Sequence, residues 1–368
     1  MPSRRGAPAL LAVSMGDPAG VGPEVILKAA AAMAARRGAP ALVVIGDAGV
    51  MRQAARRLGA VPAPRPWLPG DERVRPADGL AVLEIGRLGA AAHKPGAPSV
   101  AGAHAAYRYI VEGARMAMAG EADALVTAPI NKQWLNRAGH HFPGHSELLA
   151  ELSCTRLWRM MFAGDQLRLA LVTVHMGLAR VSRALSSQGV LDTIRLLARH
   201  LTERLGMNRP RIGVLGFNPH AGEHGLFGDE EARVIVPAIR RARRAGIDAR
   251  GPLAPDTAFI RPAGEFSFDA AVAMYHDQGL IALKTLEFER AVNVTLGLPF
   301  VRTSPDHGTA YDIAGCGTAN GASMLAAMEY AWRAVRGPTM RARTVREMDG
   351  GARNRRAGAA AAKTPRRG

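Results

Sequence analysis

Cysteine is nearly absent: Cys154 and Cys316 are the only two in 368 residues. They stand far apart and in no CxxC pattern. That argues against a disulfide framework and for a reducing compartment, the cytoplasm. Aromatic residues make up only 5% of the chain, which argues against a base-stacking nucleic-acid binder. No apolar run approaches the length of a membrane-spanning helix. The apolar stretch near the start, "APALLAVSM", is too short for a signal core and leads straight into a Gly/Pro loop. That loop, "GDPAGVGPE" (16–24), lacks the Lys-Ser/Thr ending of a Walker loop and does not match GxGxxG. It reads equally as a strand–helix turn lining a cleft. No internal repeat is present.

The charge is not evenly spread. The net charge is +17, yet the stretch from Arg333 to Arg367 carries eleven Lys or Arg against Glu347 and Asp349. It ends in "GGARNRRAGAAAAKTPRRG", which has no apolar periodicity. The plain expectation for residues 338–368 is a solvated, disordered basic tail; an RNA- or phosphate-binding tail is the alternative. Without it, the rest of the chain is moderately basic, which suits anionic substrates without requiring nucleic acid.

What the sequence has is a core and an alternation. About half of it is apolar (48%), and its length accommodates two domains. Short apolar runs, "ALLAVSM" (9–15), "ALVVIGD" (41–47), "ALVTAPI", "LRLALVTVH" (167–175), "RIGVLGFNPH" (211–220) and "AAVAMYH" (270–276), alternate with amphipathic helical stretches, including 99–122, 189–206 and 229–246. Pro23 suits a first helical turn and Glu24 its positive end. This order predicts an α/β protein with a largely parallel sheet. Residues 61–98 are Pro-rich and read as an irregular surface excursion.

Three of the expected strands end on His175, His220 and His276. Ligands of open α/β sheets bind beyond the carboxyl ends of the strands. Three neutral imidazoles converging there would make a divalent-metal site with open positions. A lone histidine is more often structural, so the weight rests on all three sharing this placement. Asp277, beside His276, could orient a ligand or complete the coordination. A second set, His145 and Ser146 in "FPGHSE" with Lys284, Asn293 and Arg302, offers cations, an amide and a hydroxyl suited to a phosphate or carboxylate. The plainer reading of each is an ordinary surface residue.

Together, "GDPAGVGPE", "TAPINK", "GHSE", "NPHAGEHGLFGDEE", "PDTAF", "MYHDQGLIALK" and "VNVTLGLPFVRTSPDHGTAYDIAG" resemble the 4-hydroxythreonine-4-phosphate dehydrogenase family of pyridoxal phosphate biosynthesis, over about residues 8 to 335. The resemblance implies a fold like that of isocitrate and isopropylmalate dehydrogenases, with two α/β domains around a central cleft: 7–127 with 277–335, carrying the nucleotide loop, and 128–276, carrying the metal histidines. It implies a divalent metal (Zn, Mg or Co) on His175, His220 and His276, shared across a homodimer interface. It also implies substrate contacts from His145, Ser146, Lys284, Asn293 and Arg302. "HGTAYDIAGCGTAN" is similar to the adenosine loop "HGSAPDIAGKGIAN" of isopropylmalate dehydrogenases. That places His307, Gly308, Thr309, Ala310, Asp312 and Asn320 at the cofactor, with NAD favoured over NADP because Asp312 would repel a 2′-phosphate.

The implied chemistry is metal-assisted, NAD-dependent oxidation of a phosphorylated small molecule, followed by decarboxylation. Lys284 and Asp277 are both candidates for proton transfer, and the sequence does not choose between them. Two departures bear on the substrate. Ser146 stands where the family usually has threonine, and "MGLARV" follows His175 where a Pro-Leu-Arg-like stretch is common. D-threonate or D-erythronate 4-phosphate is therefore the alternative to 4-hydroxythreonine 4-phosphate. An aromatic dihydrodiol is disfavoured, because Lys284, Asn293 and Arg302 are all present. A non-catalytic phosphate binder would be expected to lose part of this set, and a nucleic-acid partner rests on the tail alone and is not expected. No membrane association is expected.

Overall fold

The computed structural model describes residues 7–59, 64–73 and 75–338. The expected basic tail, apart from Pro338, lies outside them. Twelve strands form one sheet: β1 Leu10–Ser14, β2 Ala41–Gly46, β3 Pro64–Pro66, β4 Leu80–Glu84, β5 Ala124–Thr127, β6 Arg159–Ala163, β7 Arg168–Leu171, β8 Ile212–Leu215, β9 Ala249–Leu253, β10 Ala270–Ala273, β11 Val292–Leu296 and β12 Val301–Pro305. Their order is β3-β4-β2-β1-β5-β12-β11-β6-β7-β10-β8-β9.

The sheet is largely parallel, as expected, with an antiparallel insert at its middle. A parallel run from β3 to β12 and another from β7 to β9 are joined by antiparallel pairings of β11 with β12 and β6, and of β6 with β7. The parallel strands are short and almost wholly buried, as strands covered on both faces must be. Residues 61–98 are not merely an excursion. Leu80–Leu83 is a buried stretch of β4, paired between β2 and β3.

Several helices begin where a side chain satisfies free N–H groups. Asp47 accepts from Gly49 N and Val50 N at the start of Ala48–Leu58. Ser99 accepts from Gly102 N at the start of Val100–Met118, and Ser186 from Gly189 N at the start of Ser187–Glu203. Helix Gly22–Ala34 carries Pro23 and Glu24 in its first turn. The stretch 229–246 becomes a π-turn, Glu231–Ile235, running into Val236–Arg244. The architecture is α/β, and the strand ends that matter below are those of β5, β7, β8, β10 and β12.

Candidate active site

The three histidines stand just past their strands, on tightly turned backbone. β7 ends at Leu171, β8 at Leu215 and β10 at Ala273, so each histidine follows a short connection. His175 and His220 both have φ 50, left-handed backbone that non-glycine residues adopt rarely and that concentrates at functional sites. From His220 to His224 every residue has positive φ. Glu231 steadies the segment just before this turn: Oε1 accepts from Phe217 N and Asn218 N at 2.7 and 2.8 Å, and Oε2 from Asn218 Nδ2. Thr173 donates to Met274 O, while Gln278 accepts from Met274 N and donates to Gly216 O. Two side chains thus tie the loops beyond β7, β8 and β10 together.

His175 and His276 line one cavity of about 740 Å³ with Asp277, Asp256 and Tyr275. Their ring centroids are 6.3 Å apart. His276 Nδ1 lies 2.7 Å from Asp277 Oδ1, an arrangement that fixes the ring and leaves Nε2 free for another partner. Burial, and next the charge of Lys132, hold His175 below its ordinary pKa, so it is neutral and able to ligate. His220 stands at the rim, its Nδ1 3.6 Å from Asp256 Oδ2. Among the described residues, no group of three or more potential ligands is drawn together within one chain. The donor chemistry fits a divalent metal, but a single chain does not close the set.

The second set forms a buried polar cluster. Arg302 on β12 is 1% exposed. Its Nη2 donates to Thr127 Oγ1 at 2.7 Å and its Nη1 to Thr295 Oγ1 at 3.0 Å. Thr295 Oγ1 is in turn 3.0 Å from Ser146 Oγ. Among the described residues no carboxylate pairs with Arg302, and its Nε has no partner. Burial pushes its guanidinium down to about 9, which still leaves it cationic at neutral pH. His145, whose Nε2 is buried without a partner, is held well below its ordinary pKa by burial, then by Arg302 and Lys132. Asn293 Oδ1 is likewise buried and unpartnered. A buried cation with open hydrogen-bonding positions is costly unless an anion joins it. Lys132 and Glu147 act electrostatically on this cluster and on His175 alike.

Lys284 links the remaining parts: its Nζ is 3.0 Å from Asp306 Oδ2, just before the glycine-rich loop. In that loop His307 Nδ1 contacts Gly308 O, and its Nε2 is buried without a partner. The loop packs on "GDPAGVGPE". Val21 N donates to Thr309 O at 2.9 Å, and Tyr311 donates its hydroxyl to Asp17 Oδ2 at 2.6 Å. A Cβ on Gly20 would lie 2.9 Å from Thr309 O, so the close approach requires glycine there. Ala319 N donates to Glu24 Oε1, Lys28 Nζ donates to the carbonyls of Gly317 and Ala319, and Asn320 Oδ1 accepts from Ala322 N. Gly308 and Asp312 are exposed, Ala310 and His307 half-buried, and Thr309 buried.

The family described as "Pyridoxal phosphate biosynthetic protein PdxA" matches residues 39–331. The chain belongs to this family. It is 50% identical over 323 residues to the 4-hydroxythreonine-4-phosphate dehydrogenase of Geobacter metallireducens, covering 86% of this chain and 93% of that one. It is 43% identical to a putative D-threonate 4-phosphate dehydrogenase of Bradyrhizobium diazoefficiens, covering 89% and 97%. The crystal structure of the Klebsiella pneumoniae 4-hydroxythreonine-4-phosphate dehydrogenase aligns with a TM-score of 0.78 at 40% identity, covering 88% of this chain and 98% of that one. The α/β architecture is that of the PdxA family, and the chain is an enzyme, an oxidoreductase of the dehydrogenase type.

Reading motifs by residue type missed several members of this PdxA-family site. Thr127 and Thr295 hold Arg302, Gln278 and Thr173 hold the histidine loops, and Asp17 anchors Tyr311. Lys132 and Asp256 were equally silent. Thr127, Thr173 and Asp17 act through partners more than a hundred residues away. Gln278 and Asp256 bridge to loops 62 and 36 residues away, Thr295 meets Arg302 across a strand turn, and Lys132 acts through a charge that no local pattern displays. "TAPINK" and "PDTAF" contain Thr127, Lys132 and Asp256 and were the available signals.

Proposed function

We propose that the protein oxidises 4-hydroxy-L-threonine 4-phosphate with NAD, using a divalent metal, to a 2-amino-3-keto acid phosphate that loses CO2 to give 3-amino-2-oxopropyl phosphate, within pyridoxal 5′-phosphate biosynthesis in the cytoplasm. The observation that carries this reading is Arg302: a buried cation without a carboxylate partner, beside neutral His145 and within the electrostatic reach of the groups that also act on His175. A phosphate satisfies Arg302 Nε, His145 Nε2 and the Ser146 hydroxyl together.

His175, His276 and His220 are the residues that would hold the metal. A divalent metal held there would supply Lewis-acid stabilisation of negative charge on the substrate oxygen, and NAD would be the hydride acceptor. The chain's own groups do the rest. Asp277 is committed to His276, so we assign it to orienting that ring. Lys284, between the cleft and Asp306, is our choice for moving the proton. His307, Gly308, Thr309, Ala310, Asp312 and Asn320 form the adenosine cradle, whose buried, unpartnered His307 Nε2 fits a ring-nitrogen or hydroxyl contact. We place the two α/β units, 7–127 with 277–335 and 128–276, on either side of the antiparallel junction.

We infer a homodimer with the metal site between subunits. Two facts support it. The three histidines do not converge within one chain. In addition, the cavity of His175 and His276 is rimmed by apolar residues, Leu178 at 66% and Ile281 at 68% exposure, that a second copy would cover.

The test is NADH production from 4-hydroxythreonine 4-phosphate, D-threonate 4-phosphate and D-erythronate 4-phosphate, side by side with added metal. The highest kcat/KM is expected with the first. A higher value with either sugar acid phosphate moves the protein to that branch, and no turnover of any of the three overturns the reading.

A further inference from the structure

The charges around the Arg302 cluster do not by themselves match a phosphate ester, which carries about −1.5 to −2 at neutral pH. Arg302 supplies one positive charge, and Glu147 acts on it with the opposite sign. Lys284 brings another, but Asp306 stands 3.0 Å from it. His145 adds none, because burial first, then Arg302 and Lys132, keep it neutral. Ser146, Thr127, Thr295 and Asn293 are uncharged. Two cations thus meet two carboxylates, and a dianion taken out of water needs a positive excess.

Lys132 stands where that excess is needed. β5 ends at Thr127, whose hydroxyl takes Arg302 from the neighbouring strand β12. The chain then turns into helix Lys132–Arg137, which Asn131 starts by accepting from Trp134 N at 3.1 Å. The Lys132 side chain lies against Gly144, the residue before His145. A Cβ built on Gly144 would be 3.5 Å from Lys132 Cε and 3.9 Å from its Nζ. An exposed lysine is ordinarily only a solvated one. Two observations set this one apart. Among the described residues its Nζ has no hydrogen-bond or ion-pair partner. Its charge also acts both on buried His145 in the cluster and on His175 in the metal cavity, so the ammonium borders the space that a substrate spanning the two would fill.

We propose that Lys132 is a further phosphate contact, supplying the positive charge that selects a phosphate dianion over the monoanion. The proposal rests on the reading of the Arg302 cluster as a phosphate site, and it holds for whichever phosphorylated four-carbon acid is oxidised.

The test uses the metal-loaded, full-length enzyme and methyl phosphate, a phosphate ester without carboxylate, ammonium or reactive hydroxyl. Affinity is read by phosphorus NMR titration at about pH 5.5 and about pH 7.5, on either side of a second pKa near 6. His145 stays neutral across this interval, so the ligand is what changes its charge there. The wild type should bind more tightly at the higher pH. K132Q should weaken binding on the order of ten-fold or more at the higher pH and much less at the lower, so that the pH dependence flattens. K132R, which restores the charge, should restore the pH dependence. In turnover, K132Q should raise KM for the phosphorylated substrate by a similar factor with a smaller change in kcat. Thermal melts establish that each variant is folded. R302M marks the cluster itself. Methyl phosphate binding that is absent from the wild type, or that survives in folded R302M, overturns the phosphate reading and this proposal with it. Binding lost in R302M but unchanged in K132Q overturns the proposal alone, as does a K132Q whose affinity falls equally at both pH values.

Discussion

Arg302 donates to Thr295 at 3.0 Å, and the same threonine oxygen is 3.0 Å from Ser146 Oγ. The Thr295 hydroxyl thus accepts from the guanidinium and shares a hydrogen bond with Ser146, which ties the serine hydroxyl to Arg302. Thr295 therefore holds the two side chains, Arg302 and Ser146, that we propose as phosphate contacts. Thr295→Val should raise KM for the phosphorylated substrate roughly ten-fold, equivalent to about 1.4 kcal/mol, with a smaller change in kcat. Arg302→Lys should cost more, because an ammonium cannot reproduce the planar fork. Steady-state kinetics with inorganic phosphate as competitor checks both. A Thr295→Val enzyme with unchanged KM and unchanged phosphate inhibition would remove Thr295 from this role.

Subunit mixing tests the proposed sharing of a metal site between chains. His175→Ala, His220→Ala and His276→Ala should each abolish turnover while leaving the melting temperature of the metal-free protein close to wild type, because an open site needs all its imidazoles. Mixed His175→Ala and His276→Ala subunits should regain activity if the two residues serve one site from different chains. No recovery after subunit exchange, verified by mass spectrometry of tagged chains, would place the site within one chain.

A histidine outside the site is expected to make stability fall in acid. His200 Nε2 contacts the Tyr330 hydroxyl at 2.8 Å between two packed helices. Burial, then Arg204 and Arg333, lower its pKa to about 3. A depressed histidine contributes stability that is present above the unfolded value near 6.5 and is lost as pH falls toward the folded value. Below about pH 6.5 the loss should approach on the order of 1.4 kcal/mol per pH unit from this group. Urea unfolding of wild type and His200→Gln at pH 7.5 and 5.0 checks it. The wild type should lose more stability across that interval than the variant, and an equal loss would refute the assignment.

Local signals carried much of this fold to the reader of the sequence. Pro23 and Glu24 mark one helix start, and the buried runs of β1 and β2 are legible as apolar stretches. Pairing is not local, which is why the antiparallel insert of β6 and β11 within the largely parallel sheet is not legible: nothing in "RMMFA" announces that it meets "VNVTL" antiparallel. β4 was hidden because the prolines and glycines on either side outweigh five apolar-rich residues in any window. In the site, histidines and the arginine stand out by residue type alone. Thr127 and Thr295 do not, since threonine is an ordinary strand former, and only their burial against Arg302 gives them meaning.

Cofactor choice rests on Asp312, an exposed carboxylate in the loop that Tyr311 pins to Asp17. The pin matters: with the Tyr311 hydroxyl fixed 2.6 Å from a buried acid, the neighbouring residue has little freedom to swing away from whatever occupies the cradle. A carboxylate held there accepts a hydrogen bond from a ribose 2′-hydroxyl and repels a 2′-phosphate. Roughly ten- to a hundred-fold preference for NAD over NADP is expected, corresponding to a modest screened clash. Asp312→Lys with Ile313→Tyr should move the ratio of kcat/KM toward NADP at fixed metal and substrate. Tyr311→Phe, which unpins the loop but keeps the charge, should raise KM for NAD while leaving the NAD to NADP ratio nearer to wild type than the double variant does. A wild type that already prefers NADP, or a double variant whose ratio stays put, would show that Asp312 does not meet the ribose.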